Sequence, residues 1–324
     1  MKIAFWSNSP GKSGVTGNMS CISILSALYE PSDMILFENH SSINNLGSMF
    51  LNQNSYDMLQ ETNSYFVENG LGRVLSYCDT GGEVDSGMIY RTCLSVFDQR
   101  VFYLPTGGMN RDLMEFRLKR HAGEVMELLE QHYHTVCVDL SSSPLESSRK
   151  ILNEADLIVV NLCQNNQLLS HFFRNYSEIK KKAFYVIGNY DVASVITKSD
   201  IITRFDLPGN RVGTVPYSRK FADALTKGNV IPFLLKNYSC DLKNVNYDFI
   251  SAVRETVCLL EERKKEIQEE NERRDKGKRE GSDGSRNRRE RGVEQQMGKW
   301  AEKTTEEGRK QEWKYGGKED FWLE

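Results

Sequence analysis

Short runs of consecutive apolar residues alternate along the chain with longer segments of helical periodicity. The apolar runs are Lys2–Ser7, Met34–Glu38, Val101–Leu104, Thr135–Asp139, Leu157–Asn161, Phe184–Gly188 and Arg211–Val215. Most lack polar alternation, the pattern of strands buried on both faces of a parallel sheet. Between them, spacing predicts helices over Asn18–Tyr29, Asp112–Gln131, Pro144–Asn153, Leu168–Lys182, Ala193–Phe205 and Ser218–Lys227. This alternation predicts an α/β fold with a doubly wound, mostly parallel sheet flanked by helices. A last helix is expected over Asp248–Glu270. Phe249, Ile250, Val253, Val257 and Leu260 share one face of it, so its first half should pack on the body. Its second half reads as solvated.

Composition divides the chain further. Hydrophobic residues make up 39% of the 324 positions, and the mean hydropathy of −0.54 reflects a Glu-, Lys- and Arg-rich stretch from Glu261 onward. We therefore expect one globular domain over 1–260 and a charged, helical-to-disordered tail over 261–324. The net charge of −3 gives no basic field for nucleic acid. The closely spaced Arg286, Arg288, Arg289 and Arg291 are interspersed with acids and read as a solvated linker. DNA binding is not indicated. Trp313, Tyr315, Phe321 and Trp322 near the end admit two readings, a short docking motif or an unselected terminus.

Seven cysteines occur without a CxxC pair and read as free core thiols in a reducing cytoplasm. The first residues enter a strand with no apolar signal region. No apolar run approaches the roughly 20 residues of a membrane span. The expected location is cytoplasmic.

The candidate chemistry begins at Gly11-Lys12-Ser13-Gly14-Val15-Thr16-Gly17-Asn18-Met19. A glycine-containing loop between a strand and a helix presents backbone N–H groups and the positive helix end to an anion. A phosphate-binding loop normally ends in a lysine and a magnesium-binding hydroxyl. Gly17 and Asn18 supply neither. Taken alone, the segment is either an anion site or a plain glycine turn.

The loop resembles the deviant Walker A motif, Lys-Gly-Gly-Val-Gly-Lys-Thr, of the ParA/MinD superfamily. Lys12 falls on the signature lysine, which in that family reaches the partner's phosphates across a nucleotide-sandwiched dimer. Gly14 and Val15 also match. Ser13 and Thr16 replace glycines, Gly17 replaces the P-loop lysine, and Asn18 replaces the hydroxyl. In Phe37-Glu38-Asn39-His40, Glu38 and His40 stand on two family aspartates, the second of which orients the attacking water. Alone, His40 reads as a surface loop histidine.

The resemblance continues downstream. Tyr103-Leu104-Pro105-Thr106-Gly107-Gly108 is similar to a Leu-Pro-Ala-Gly element, and Val136-Cys137-Val138-Asp139-Leu140 resembles the Walker B strand. Asp139 thus becomes the candidate metal position. Val186-Ile187-Gly188-Asn189-Tyr190-Asp191 resembles the segment whose asparagine contacts adenine. Gly213-Thr214-Val215-Pro216-Tyr217-Ser218 resembles the turn beside the base. Asp191 itself reads as a helix N-cap.

The resemblance implies a P-loop NTPase fold of the SIMIBI class that takes ATP as cofactor and forms a homodimer. The departures at Gly17, Asn18 and His40 imply weak or absent hydrolysis and argue against magnesium. The implied function is a pseudo-ATPase that positions or scaffolds a larger machine. Within the superfamily this is similar to TadZ/CpaE-like proteins, which localise Tad-type pilus or secretion machinery at a polar or membrane-associated site. Two alternatives stay open: an active ParA-type ATPase in DNA partitioning, and a nucleotide-free interaction module of a mobile or conjugative element.

Overall fold

The computed structural model of the protein describes residues 1–65, 69–81 and 86–273. One compact unit spans Met1–Lys265. The tail residues beyond 273, including the arginine cluster and the terminal aromatics, lie outside the described residues.

Eight strands form one sheet: β1 (Lys2–Trp6), β2 (Met34–Glu38), β3 (Leu94–Phe97), β4 (Val101–Tyr103), β5 (Thr135–Asp139), β6 (Leu157–Leu162), β7 (Ala183–Tyr190) and β8 (Val212–Pro216). Their spatial order is β3-β4-β2-β5-β1-β6-β7-β8. All neighbours are parallel except the edge pair β3 and β4. β1 lies between β5 and β6, where the winding direction changes, and such a switch point opens a crevice at the carboxyl ends of the strands.

The helices are α1 (Val15–Tyr29), α2 (Leu46–Phe50), α3 (Gln53–Tyr65), α4 (Leu71–Thr80), α5 (Ser86–Thr92), α6 (Arg111–Glu130), α7 (Glu146–Glu154), α8 (Asn166–Asn175), α9 (Lys198–Phe205), α10 (Arg219–Thr226) and α11 (Val230–Asn237). They cover both sheet faces. Ala4, Trp6, Ile35 and Phe37 join a core cluster with Leu71 and Val74 of α4 and Leu118 and Val125 of α6. Their strand neighbours Ile3, Phe5 and Leu36, on the opposite face, are equally buried. Burial on both faces explains why these strands read as unbroken apolar runs.

The last described helix covers 247–273, of which 247–265 belongs to this unit. Phe249, Ile250, Val253, Val257 and Leu260 are buried, as the periodicity predicts. Thr256 Oγ1 accepts the Thr214 N–H and donates to the Thr214 carbonyl, both at 2.8 Å. The helix thereby satisfies part of the open edge of β8. The expectation of a solvated second half is corrected at its start: Glu261 and Lys264 are buried as an ion pair at 2.7 Å.

Two helix expectations also change. The predicted helix over Leu168–Lys182 is α8 followed by a separate 3-10 turn, Ile179–Lys182. The one predicted from Ala193 begins only at Lys198, because Thr197 and Asp200 form a capping box there.

Candidate functional site

The ends of β2, β5, β7 and β8 and the loop after β1 converge on a cleft of about 790 Å³, within the usual range for a small-molecule site. The loop floor is set by two glycines in the left-handed region, Gly11 at φ 69° and Gly14 at φ 67°. Gly14 is the N-cap of α1, and no side chain caps that helix. The positive end of α1 therefore opens into the cleft, lined by Gly14, Val15 and Thr16.

The loop is seated on β7 at Gly188. A Cβ there would stand 2.0 Å from the Ser13 carbonyl oxygen and 2.4 Å from Asn18 Nδ2. Asn18, in the first turn of α1, donates from Nδ2 to the Ser13 carbonyl and to Asn161 Oδ1, both at 2.8 Å. Asn161, fully buried on β6, donates in turn to the Val159 carbonyl at 3.1 Å. The Asn18 amide is thus committed to the interior. One residue earlier, a Cβ on Gly17 would sit 3.3 Å from Leu225 Cδ1 of α10. A side chain at 17 would need Leu225 to shift by a few tenths of an ångström.

Across the cleft, pairing of β2 with β5 sets Glu38 directly beside Asp139, and both are buried. Glu38 Oε1 accepts the Leu46 N–H at 2.6 Å and Oε2 accepts the Tyr103 hydroxyl at 2.9 Å. His40 Nε2 lies 3.1 Å from Asp139 Oδ2. The contact is an ion pair, not an aligned hydrogen bond. Burial alone would lower the His40 pKa, but the contact with Asp139 and the charges of Asp139 and Glu38 outweigh it and raise it to about 9. Burial, reinforced by Asp139 and opposed by His40, raises Glu38 to about 7.

This donor set does not fit magnesium. A hard divalent cation wants free oxygens in near-octahedral array. Position 18 has no hydroxyl, both Glu38 oxygens hold donors, and Asp139 already faces a cation. A metal at Asp139 would stand against the imidazolium.

No protein-family model and no curated protein matches the sequence. Solved structures do. A ParA family ATPase from Chlorobium tepidum TLS aligns with TM-score 0.61 at 12% identity, over 79% of this chain and 98% of that one. A chain of the MinC:MinD cell division protein complex of Aquifex aeolicus gives 0.57 at 14%, over 80% and 94%. A plasmid partition protein of Borrelia burgdorferi B31, bound to AMPPNP, gives 0.55 at 15%, over 81% and 98%.

The chain has the ParA/MinD fold.

Within that fold, the sequence-predicted residues fall into three groups. Gly11, Gly14, Val15, Thr16, Gly17, Asn18, His40, Asp139, Asn189, Pro216 and Tyr217 all line the cleft. Lys12 is exposed on the loop beside it, and its carbonyl accepts from Asn189 Nδ2 at 3.4 Å. Ser13 and Met19 are fully buried, and the Ser13 hydroxyl has no hydrogen-bond partner among the described residues. Asn189 sits at positive φ, 48°, where the β7–β8 register shifts.

Two readings are corrected. His40 is no surface loop histidine, since its side chain is packed against Asp139 with 13% exposure. Asp191 caps no helix: its Oδ1 accepts the Ala193 N–H at 2.9 Å in a turn, and α9 starts later, at the cap supplied by Thr197. Sequence reasoning missed Asn161 and Leu225. A signal for Asn161 was present, as a lone polar residue within Leu157-Ile158-Val159-Val160-Asn161-Leu162. A buried polar side chain in a central strand needs a partner.

Proposed function

We propose that this chain is a ParA/MinD-fold scaffold that binds ATP without hydrolysing it, dimerises on it, and positions a larger protein assembly. The observation that carries the reading is the His40–Asp139 pair, which puts a protein cation where hydrolytic chemistry would need a free carboxylate and its metal. The inward-turned Asn18 and the Leu225 contact at Gly17 point the same way.

In this reading the phosphates lie against the Gly11–Gly14 loop and the N-terminus of α1. The base lies by Asn189, Pro216 and Tyr217. Lys12, exposed at the loop, reaches the nucleotide of a second copy. The AMPPNP held by the Borrelia partition protein supports ATP as the ligand, and the MinC bound by Aquifex MinD supports a protein partner. Among the described residues no helix is long and apolar enough to cross a membrane. A cytoplasmic protein recruited to a polar or membrane-associated complex, in the manner of TadZ/CpaE-like proteins at Tad-type pilus machinery, fits that description. A partitioning ATPase is disfavoured because Gly17 offers no phosphate-binding lysine.

Light scattering with and without ATP tests the dimer. The wild type should double in mass with ATP, and Lys12→Ala should bind ATP yet stay monomeric. Bound ATP with no mass change in the wild type would reject the scaffold reading.

A further inference from the structure

A second group of chemically capable side chains lies away from the cleft, where α4 meets α6. Cys78 stands in the last turn of α4, and His121 and Glu124 stand three residues apart on one face of α6. One donor atom from each lies within 4.8 Å of the others. None of the three lines the nucleotide cleft.

His121 is buried, and both its ring nitrogens face carboxylates. Nδ1 is 2.8 Å from Glu124 Oε2, and Nε2 is 2.8 Å from Asp79 Oδ1. Asp79 is itself clamped by Arg117, with Nε at 3.0 Å and Nη2 at 2.7 Å from its Oδ2. A histidine whose far nitrogen is fixed by a held carboxylate is the usual support for a metal-binding imidazole. It leaves Nδ1 directed at Glu124. The Cys78 thiol, next to Asp79 in sequence, has no side-chain hydrogen-bond partner among the described residues. Cys78 closes the buried face of α4 at the edge of the core cluster, and its sulfur lies beside His121 and Glu124.

We propose that Cys78, His121 and Glu124 form a binding site for a borderline-soft divalent cation of the zinc class. One thiolate, one imidazole nitrogen and one carboxylate oxygen are the donors such an ion selects, and three protein ligands leave a fourth position for water. Asp79 is a positioning residue that orients His121. Bonds of about 2.0–2.1 Å to N and O place those two atoms about 3.3 Å apart in a tetrahedral site. The 2.8 Å between His121 Nδ1 and Glu124 Oε2 must therefore open slightly, and the exposed Glu124 side chain is free to move. The bound ion would tie α4 to α6.

Cobalt(II) titration of the metal-stripped full-length protein tests this, because a thiolate ligand produces a near-ultraviolet charge-transfer band. The expected result is one equivalent of cobalt with tetrahedral visible absorption and that band, all displaced by zinc. Cys78→Ser should lose the band while keeping the far-UV circular dichroism of the wild type. Glu124→Gln, at an exposed position, should bind at least 10-fold more weakly and keep the band at saturation. The Glu38–His40–Asp139 group contains no sulfur and cannot mimic the signal. Absence of the band at stoichiometric cobalt, or its survival in Cys78→Ser, would overturn the proposal.

Discussion

The side-chain amide of Asn18 donates to Asn161 Oδ1 at 2.8 Å, across 143 positions of sequence. This bond ties the first turn of α1 to β6, and its companion to the Ser13 carbonyl closes the loop onto the sheet. Asn18→Ala leaves both acceptors buried and unpaired, so it should cost about 1–3 kcal/mol of unfolding free energy. Asn18→Thr, which returns a hydroxyl to this position, should cost a similar amount because it cannot donate to both acceptors. Urea denaturation of the two variants checks this. Wild-type stability in both would show that the network is incidental.

The pair at the cleft gives stability a pH dependence of definite sign. The His40 pKa is raised from 6.5 to about 9. Its stabilising contribution is therefore complete below 6.5 and is lost as pH rises through about 9. Glu38 is raised from 4.5 to about 7, so its contribution is complete below 4.5 and lost as pH rises through about 7. Wild-type stability should thus fall between pH 6 and pH 10. His40→Gln should be less stable at pH 6 by roughly 3 kcal/mol, because Asp139 loses its counter-charge, and should lose the part of the fall centred near pH 9 while keeping the part that Glu38 supplies. Parallel pH profiles for the two proteins would refute the pairing.

Gly188 fixes how closely the loop approaches the sheet. The Cβ of Gly188→Ala would collide with the Ser13 backbone at 2.0 Å, and backbone cannot rotate aside as a side chain can. The expected loss is roughly 3 kcal/mol, with weaker nucleotide binding because the loop lifts. Gly209→Ala is the control, a glycine outside the left-handed region with no neighbour within 4 Å of a Cβ, and should cost less. Equal costs for the two variants in chemical denaturation would remove the steric argument.

The parallel core of the sheet was legible because burial on both faces writes itself as unbroken apolar runs such as Thr135–Asp139. The edge strand β3 was not. Leu94–Phe97 is half-buried and joined to β4 through Asp98 and Gln99, which both take positive φ without the glycine that usually marks such a turn. Helices α2, α3, α5 and α11 are short or polar, whereas α4 was missed although Leu71, Val74, Leu75 and Cys78 recur at helical spacing; α1 starts three residues before the predicted Asn18 because Gly14 caps it. In the site, the loop and Asp139 could be placed from local motifs. The contacts His40–Asp139, Asn18–Asn161 and Gly17–Leu225 join distant segments, and no local pattern encodes them.

The most direct measurement is ATP turnover by the purified full-length protein with magnesium, run beside a nucleotide-binding titration. The expected result is saturable ATP binding with phosphate release no faster than in protein-free controls. Magnesium-dependent turnover that Asp139→Asn abolishes would contradict the account, because it would show that Asp139 serves a metal despite His40.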